Sequence, residues 1–277
     1  MRDSDLRIEP LSPVIGAEIH GIDLSRPVSD TAIAAIRAAL VEHLVVFFRD
    51  QAIDLDQQKS FARRFGELHI HPTAPAPEGH PEVIVIRADE SSKVVAGNRW
   101  HSDVSCDEEP PMGSILHMRE LPPSGGDTMF ANMYAAYEAL SPSMQGYLAT
   151  LSAWHESARV HAGLYKQQPK DRDGRNDFPV ALHPVVRTHP ESGRKCLFVN
   201  HGFTTRIDGL GERESRALLD MLFEHVRTPE FQCRFRWQAN SIAFWDNRCT
   251  QHYALWDYFP HSRLGYRVTI CGDRPYC

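Results

Sequence analysis

The sequence of 277 residues has little of several features that assign a protein to a class at once. Its six cysteines include no Cys-x-x-Cys pair and are too sparse for a disulfide scaffold, which excludes zinc ribbons, thioredoxin-like motifs and cystine-rich domains. Strongly apolar runs are short, and the longest lies around residues 44–48, so we expect no membrane span. The net charge is -6, which gives no reason to expect nucleic acid as a partner.

Other absences bear on location and domain organisation. The first ten residues contain no apolar segment of the kind that a secretory signal requires, so we expect a cytoplasmic protein with reduced thiols. Neither a repeat nor a low-complexity linker divides the chain. Hydrophobic residues make up 42% and charged residues 24%, which is ordinary for a globular protein. The length alone allows one or two domains, and a single β-barrel or sandwich with helical additions also fits it.

Strand patterns dominate the chain. Between residues 231 and 237, Phe, Cys, Phe and Trp alternate with Gln and two Arg, which is the period of a half-buried strand. Similar runs occur at residues 44–48, 82–87, 114–118, 183–188, 195–199, 241–245 and 264–271. The four predicted helices span residues 29–43, 54–65, 134–150 with a break at Ser141-Pro142, and 211–226. We expect an apolar stripe of Leu218, Met221, Leu222 and Val226 on the last helix. Many strands with helices at the edges predict a mainly β fold with flanking helices.

Histidine is the one residue type in clear excess, with 15 residues against 13 Phe. His101 and Asp103 follow Trp100, and on a strand the positions i and i+2 face the same side, so both could bind one metal ion. With a second histidine from a distant strand, they would form a two-His-one-carboxylate set that leaves positions open on Fe(II). His80/Glu82 and His189/Glu191 have the same spacing, but a proline follows each of these histidines and makes a strand unfavourable.

The C-terminal third contains a candidate for the second histidine and two arginines that could bind anions. His252 follows an apolar strand that ends in Trp-Asp-Asn, and Arg263 and Arg267 lie four residues apart on a later strand. Their Cα atoms would be about 13 Å apart, which fits two different anions better than one. The planar guanidinium suits a carboxylate or a sulfonate, although both side chains could also face water.

The order and spacing of these motifs resemble the taurine dioxygenase branch of the Fe(II)/2-oxoglutarate dioxygenases, which includes alkylsulfatase and phenoxyalkanoate dioxygenases. The likeness covers nearly the whole chain. Its motifs are Ile-Gly-Ala-Glu-Ile at residues 15–19, Phe-Gly-Glu-Leu-His-Ile-His-Pro at 65–72, Trp-His-Ser-Asp-Val at 100–104, Gly-Gly-Asp-Thr at 125–128, His-Pro-Val-Val-Arg-Thr-His-Pro at 183–190, Phe-Val-Asn at 198–200, and Trp-Asp-Asn-Arg at 245–248 with His252 and Arg267.

The resemblance implies a single domain over residues 1–277 that forms a double-stranded β-helix, a cupin-like jelly roll, with a cofactor and a substrate site inside it. It implies Fe(II) binding by His101, Asp103 and His252, and 2-oxoglutarate binding by Arg263 and Thr128. It also implies a primary-substrate site of His71, Val104, Asn98, His161, Phe203 and Arg267. The expected reaction consumes dioxygen, releases succinate and CO2, and hydroxylates the substrate. A product hydroxylated next to a sulfonate, sulfate or ether oxygen would collapse to a carbonyl compound.

Some positions depart from the taurine enzymes. Ala74 replaces a tyrosine, His161 replaces a phenylalanine, and Gly97 stands where an asparagine contacts the substrate amine, with Asn98 one position later. A site that binds an ammonium group usually provides an acceptor for it. We therefore expect a small anionic substrate other than taurine: a larger sulfonate, a sulfate ester or an organic carboxylate.

Three alternatives remain open from the sequence. The substrate could be taurine itself, with Asn98 taking the place of the missing asparagine. A cupin barrel could use Zn(II) or Mn(II) at the same residues for hydrolysis or isomerisation, or the domain could bind a ligand without catalysis. The resemblance further implies a homodimer or homotetramer, with no membrane and no nucleic acid as partner.

Overall fold

The computed structural model describes residues 6–72, 74–95, 97–158 and 178–277, and it confirms a mainly β fold with helices at its edges. The strands of this part of the chain are β1 (Arg7–Pro10), β2 (Ala17–His20), β3 (Val45–Phe48), β4 (Val83–Ala88), β5 (Gly113–Glu120), β6 (Thr128–Asn132), β7 (Ser152–Glu156), β8 (Val180–Pro184), β9 (Val186–Thr188), β10 (Lys195–Leu197), β11 (Thr204–Ile207), β12 (Gln232–Phe235), β13 (Ile242–Asp246), β14 (Thr250–Ala254) and β15 (Arg263–Ile270).

The strands form one large sheet and three small ones. The large sheet has the order β1-β2-β3-β13-β5-β15-β4, and the others are β12-β6-β14, β11-β7-β8 and β10-β9. The large sheet faces the β12-β6-β14 sheet through Phe47, whose ring stacks on Phe235 at 3.8 Å and meets the edge of Phe130 at 5.6 Å. Two facing sheets with strands that cross between them make the jelly roll that the sequence motifs imply.

Strand β13 contributes to two apolar cores because its side chains alternate between the faces of the large sheet. Trp245 joins the core between the two sheets together with Phe130. Phe244 joins the core on the other face, with Ile36 and Phe61 from the helices that cover it. All five residues of β13 are buried, which explains why the four before Asp246 are all apolar.

Among the described residues the α-helices are α1 (Asp30–His43), α2 (Leu55–Ala62), α3 (Met133–Glu138), α4 (Pro142–Leu148) and α5 (Glu212–Val226). Three of the predicted starts are confirmed by side-chain caps. Ser29 accepts a hydrogen bond from the N–H of Ala32, Asp54 caps α2, and Ser141 caps α4 after the predicted break.

Several predicted boundaries were wrong. The run 183–188 is split between β8 and β9, because Val185 donates its N–H to Leu151 instead of continuing one strand. On α5 the buried residues include Leu219 and Leu222, whereas Met221 is 37% exposed and does not belong to the apolar stripe.

Candidate metal centre and its surroundings

The predicted metal ligands come together beside the middle of β14, where His252 lies. His101 and His252 form an isolated antiparallel bridge, in which each backbone N–H donates to the other's carbonyl, at 3.1 Å and 2.8 Å. Asp103 follows in a turn, in which Val104 has a φ of 47°. The expectation that His101 and Asp103 share a regular strand was therefore wrong. A bridge followed by a turn places one ligand atom from each of the three buried residues within 4.8 Å of one another.

The donor set fits a divalent metal ion. The Nδ1 of His101 lies 2.7 Å from the carbonyl oxygen of Arg99, so this nitrogen carries the proton. The Nε2 of His101 is then left with its lone pair and lies 3.7 Å from Oδ1 of Asp103. The Nε2 of His252 lies 3.9 Å from the same oxygen. Two imidazoles and one carboxylate are the ligands of non-haem Fe(II) oxygenases.

The protonation states also suit metal binding. Burial and the neighbouring His101 hold the pKa of His252 well below its usual value, so the imidazole is neutral near pH 7. Burial opposes ionisation of Asp103, but Arg267, His252 and His101 together hold the pKa of its carboxyl well below the usual value. A metal ion needs this combination of neutral imidazoles and an ionised carboxylate.

Arg267 lies against the metal ligands. Its Nη1 donates to Oδ1 of Asp103 at 2.6 Å, while its buried Nε has no hydrogen-bond partner among the residues that the structure describes. The guanidinium therefore keeps a donor for a further anion next to the metal ligands.

Arg263 is the first residue of β15, four residues before Arg267, and it is buried. Its Nε donates to the carbonyl of Gly126 at 3.2 Å, and its Nη2 is buried without a partner in the described part of the chain. Burial lowers the pKa of Arg263, whereas Tyr258 and Asp127 raise it, and the guanidinium stays charged. A buried cation with an unused N–H group requires an anion.

Arg263 lines a cavity of about 160 Å³. Ala254 lines it and stands two residues after His252, on the same face of β14. Most of the lining is apolar, and the charged groups among its described lining residues are Arg87 and Arg263. Apolar walls with a guanidinium at one end fit the methylene groups and the distal carboxylate of 2-oxoglutarate.

Thr128 and Arg263 both lie against the indole of Trp237. The indole Nε1 of Trp237 donates to Oγ1 of Thr128 at 3.0 Å, and the Arg263 guanidinium carbon lies 5.9 Å from the Trp237 ring centre. Because an indole N–H can only donate, the Thr128 hydroxyl accepts there and keeps its own hydrogen to donate elsewhere.

The remaining predicted substrate residues differ in burial and in their distance from the candidate metal ligands. His71 and Val104 are buried, and Phe203 lies with its ring centre 6.4 Å from that of His101. Asn98 is exposed, whereas the preceding Gly97 faces the site. A side chain at position 97 would lie 3.4 Å from the His101 ring and 3.5 Å from Ala254. His161 lies outside the described residues.

Sequence reasoning missed some residues of the site. Trp237, which donates to Thr128, and Ser114, which donates to Oδ2 of Asp103 at 2.7 Å, were each predicted only as part of a strand. Gly202 was also missed, although a side chain there would meet Cβ of His101 at 2.7 Å. No sequence motif predicts these three contacts, because each depends on how strands pair or on how a turn packs.

A second group of possible ligands consists of His189, Asp246 and Cys249. The guanidinium of Arg248 donates to both carboxylate oxygens of Asp246, and His189 lies 3.0 Å from Oδ2. These bonds occupy the lone pairs that a metal ion would need, so the group is a salt-bridge network. Asp246 also accepts the N–H of Arg248 and so caps the turn before β14.

None of the described helices has the length and apolar character needed to cross a membrane.

Comparison with protein families gives one match over most of the chain. The family described as taurine catabolism dioxygenase TauD, TfdA family matches residues 7–269. An alpha-ketoglutarate-dependent sulfate ester dioxygenase from Pseudomonas putida is 38% identical over 98% of this chain and 91% of its own length. An alpha-ketoglutarate-dependent 2,4-dichlorophenoxyacetate dioxygenase from Cupriavidus pinatubonensis is 35% identical over 88% of this chain and 90% of its own length.

Solved structures agree in fold. A taurine dioxygenase from Burkholderia xenovorans superposes with a TM-score of 0.85 and 40% identity, over 98% of this chain and 91% of that one. The protein AAD-2, solved with Mn(II) and N-oxalylglycine, superposes with a TM-score of 0.81 and 28% identity, over 98% of this chain and 99% of that one.

Proposed function

The chain belongs to the TauD, TfdA family of taurine catabolism dioxygenases, and we propose that it uses His101, Asp103 and His252 to hold Fe(II) while it hydroxylates a small organic anion other than taurine. It is a 2-oxoglutarate-dependent dioxygenase whose cofactors are Fe(II), 2-oxoglutarate and dioxygen. When bound, Fe(II) supplies the coupled chemistry in which dioxygen oxidises 2-oxoglutarate to succinate and CO2 and hydroxylates the organic substrate.

The observation that carries the proposal is the buried guanidinium of Arg263, which lines an apolar cavity and whose Nη2 has no partner among the described residues. Arg263 and the Thr128 hydroxyl would hold the distal carboxylate of 2-oxoglutarate and so orient its other end toward the metal ligands. A cupin hydrolase, isomerase or binding module would give this buried cation no ligand, which favours the co-substrate role.

Arg267 and His71 would bind the acidic group of the primary substrate. The buried Nε of Arg267 supports this role, because it leaves a donor free beside Asp103. Phe203 and the backbone of Val104 would line the same space, since both are buried next to the metal ligands. We include His161 and Asn98 on the family resemblance alone.

We propose a sulfate ester or sulfonate with an alkyl chain as the substrate, and an organic carboxylate as the next choice. The sulfate ester relative supports the first, and the 2,4-dichlorophenoxyacetate relative supports the second. Gly97 gives the site no side-chain acceptor for an ammonium group, and Asn98 is exposed. A hydroxyl placed on the carbon that bears the sulfate would release sulfate and leave an aldehyde.

The test is succinate release with hexyl sulfate, hexanesulfonate, phenoxyacetate and taurine, each measured with Fe(II), 2-oxoglutarate and dioxygen present. We expect kcat/KM for hexyl sulfate or hexanesulfonate to exceed that for taurine at least tenfold. A kcat/KM for taurine above that of every other anion would contradict the proposed substrate class but not the dioxygenase activity.

We further propose that the protein is cytoplasmic and forms a homodimer or homotetramer. Its six cysteines are all unpaired, which suits a reducing compartment. Val180 and Leu182 of β8 are exposed apolar residues that could lie between subunits. Light scattering on the purified protein would test the assembly, and a monomer at micromolar concentration would contradict it.

A further inference from the structure

The metal-ligand carboxylate of Asp103 is held differently at its two oxygens. Oδ1 faces Nε2 of both histidines and accepts a hydrogen bond from Arg267 at 2.6 Å. Oδ2 points away from the histidines and accepts from the hydroxyl of Ser114 at 2.7 Å. Ser114 is fully buried in β5, so water does not compete for this bond.

Asn247 lies behind Ser114, and its orientation is fixed. The indole Nε1 of Trp245 and the backbone N–H of Asp103 both donate to one side-chain atom of Asn247, at 2.9 Å and 3.3 Å. Because both groups can only donate, this atom must be the oxygen. The amide nitrogen of Asn247 therefore points to Ser114, at 3.1 Å.

The orientation of Asn247 in turn determines which way the Ser114 hydroxyl donates. Its oxygen accepts the amide hydrogen of Asn247, so its own hydrogen goes to Oδ2 of Asp103, which as a carboxylate oxygen can only accept. The bonds thus run in one direction, from Trp245 through Asn247 and Ser114 to Asp103. Asn247 is anchored further by its carbonyl, which accepts from Ser102 at 2.6 Å.

We propose that Ser114 and Asn247 are positioning residues that make Asp103 offer a single oxygen, Oδ1, to the metal ion. With Oδ2 engaged by Ser114, the carboxylate does not turn to bind through both oxygens. The coordination positions needed by 2-oxoglutarate and dioxygen then stay open. This inference rests on the proposed function, because it assumes that His101, Asp103 and His252 hold the metal.

The test measures metal binding rather than turnover. The whole protein is stripped of metal with a chelator, and Co(II) is titrated by calorimetry and by visible spectroscopy, without 2-oxoglutarate. The variants are Ser114→Ala, Asn247→Ala and the double variant. The matched control is Ser215→Ala, which removes another buried serine hydroxyl, on α5, where it accepts the N–H of Ile207.

We expect Ser114→Ala to bind Co(II) about 10- to 100-fold more weakly than the unchanged protein, with a shifted visible spectrum because the carboxylate can rotate. Ser215→Ala should keep both the affinity and the spectrum. The double variant should lose less affinity than the product of the two single losses, because Asn247 acts partly through Ser114.

Unchanged affinity and spectrum in Ser114→Ala would overturn the inference, as would an equal loss in Ser215→Ala or a fully multiplicative loss in the double variant. Ser114→Ala carries the test alone if Asn247→Ala does not fold. Failure of the unchanged protein to bind Co(II) would instead contradict the proposed metal site itself, so the two failures are distinguishable.

Discussion

Trp237 shows how one side chain can determine what its neighbour does. Its indole N–H occupies a lone pair of the Thr128 hydroxyl, so the hydroxyl keeps its own hydrogen to donate, and the Arg263 guanidinium carbon lies 5.9 Å from the same indole ring. A hydroxyl that must donate is suited to a carboxylate and unsuited to a second cation. At this scale the site selects an anion through the direction of its hydrogen bonds as well as through its charge.

We predict that Trp237→Phe raises KM for 2-oxoglutarate about five- to tenfold and changes kcat less than twofold. The indole bond orients Thr128 and is worth about 1 kcal/mol. Initial rates of succinate formation at varied 2-oxoglutarate provide the measurement. Trp154→Phe is the matched control, because the Trp154 indole also donates a hydrogen bond, at 2.8 Å to Asp208, away from the cavity. An unchanged KM in Trp237→Phe would contradict the role given to Thr128.

The turn between β10 and β11 packs directly on the metal-binding segment. Gly202 donates its N–H to the carbonyl of Trp100 and approaches Cβ of His101 so closely that an added Cβ would lie 2.7 Å from it. Phe203, the next residue, contacts the same histidine ring. The turn therefore fixes the backbone from which His101 projects.

We predict that Gly202→Ala weakens Mn(II) binding at least tenfold, because His101 must move to make room for the new methyl group. Gly146→Ala is the control: it lies in α4 with open space around it, and the change should raise the free energy of unfolding by about 0.5–1 kcal/mol. Calorimetric titration and denaturant unfolding measure the two effects. Full Mn(II) affinity in Gly202→Ala would show that the turn does not hold the ligand.

The sequence was sufficient to predict those strands and helices whose signals lie in their own residues. Strands such as β3 and β13 are continuous apolar runs, and α1 and α2 carry their caps in the sequence. Strands β6, β11 and β14 were missed because their sequences mix polar and apolar residues, and partner strands stabilise them. The metal ligands were predicted from motif order and spacing. Trp237 was not, because its contact with Thr128 depends on the register that pairs Phe235 with Thr128.

The stability of the whole molecule should depend on buried histidines. Burial lowers the pKa of His183 to about 4, from about 6.5 in an unfolded chain. Below pH 6.5 the unfolded chain binds a proton that the folded chain does not take up until about pH 4. Stability therefore falls as the pH drops through this window.

We predict that His183→Gln reduces this loss. Glutamine can keep the hydrogen bond that His183 donates to the carbonyl of Asp107 at 2.9 Å, but it does not titrate. Between pH 7 and pH 4.5 the unchanged protein should lose about 2 kcal/mol more than the variant. Urea unfolding at several pH values gives the free energy of unfolding as a function of pH. Parallel pH dependence in the two proteins would contradict the role given to His183.

At the scale of the whole molecule, segments distant in sequence bring the candidate metal ligands His101, Asp103 and His252 together, and β15 carries both the buried Arg263 and Arg267, which contacts Asp103. The most direct test is an anaerobic titration of the metal-free protein, first with Fe(II) and then with 2-oxoglutarate, followed by visible absorption. We predict a weak charge-transfer band that requires both additions. The Arg263→Met variant should need about 10- to 100-fold more 2-oxoglutarate to form this band. Confirmed Fe(II) binding without such a band, or a band that forms equally well in Arg263→Met, would contradict the account.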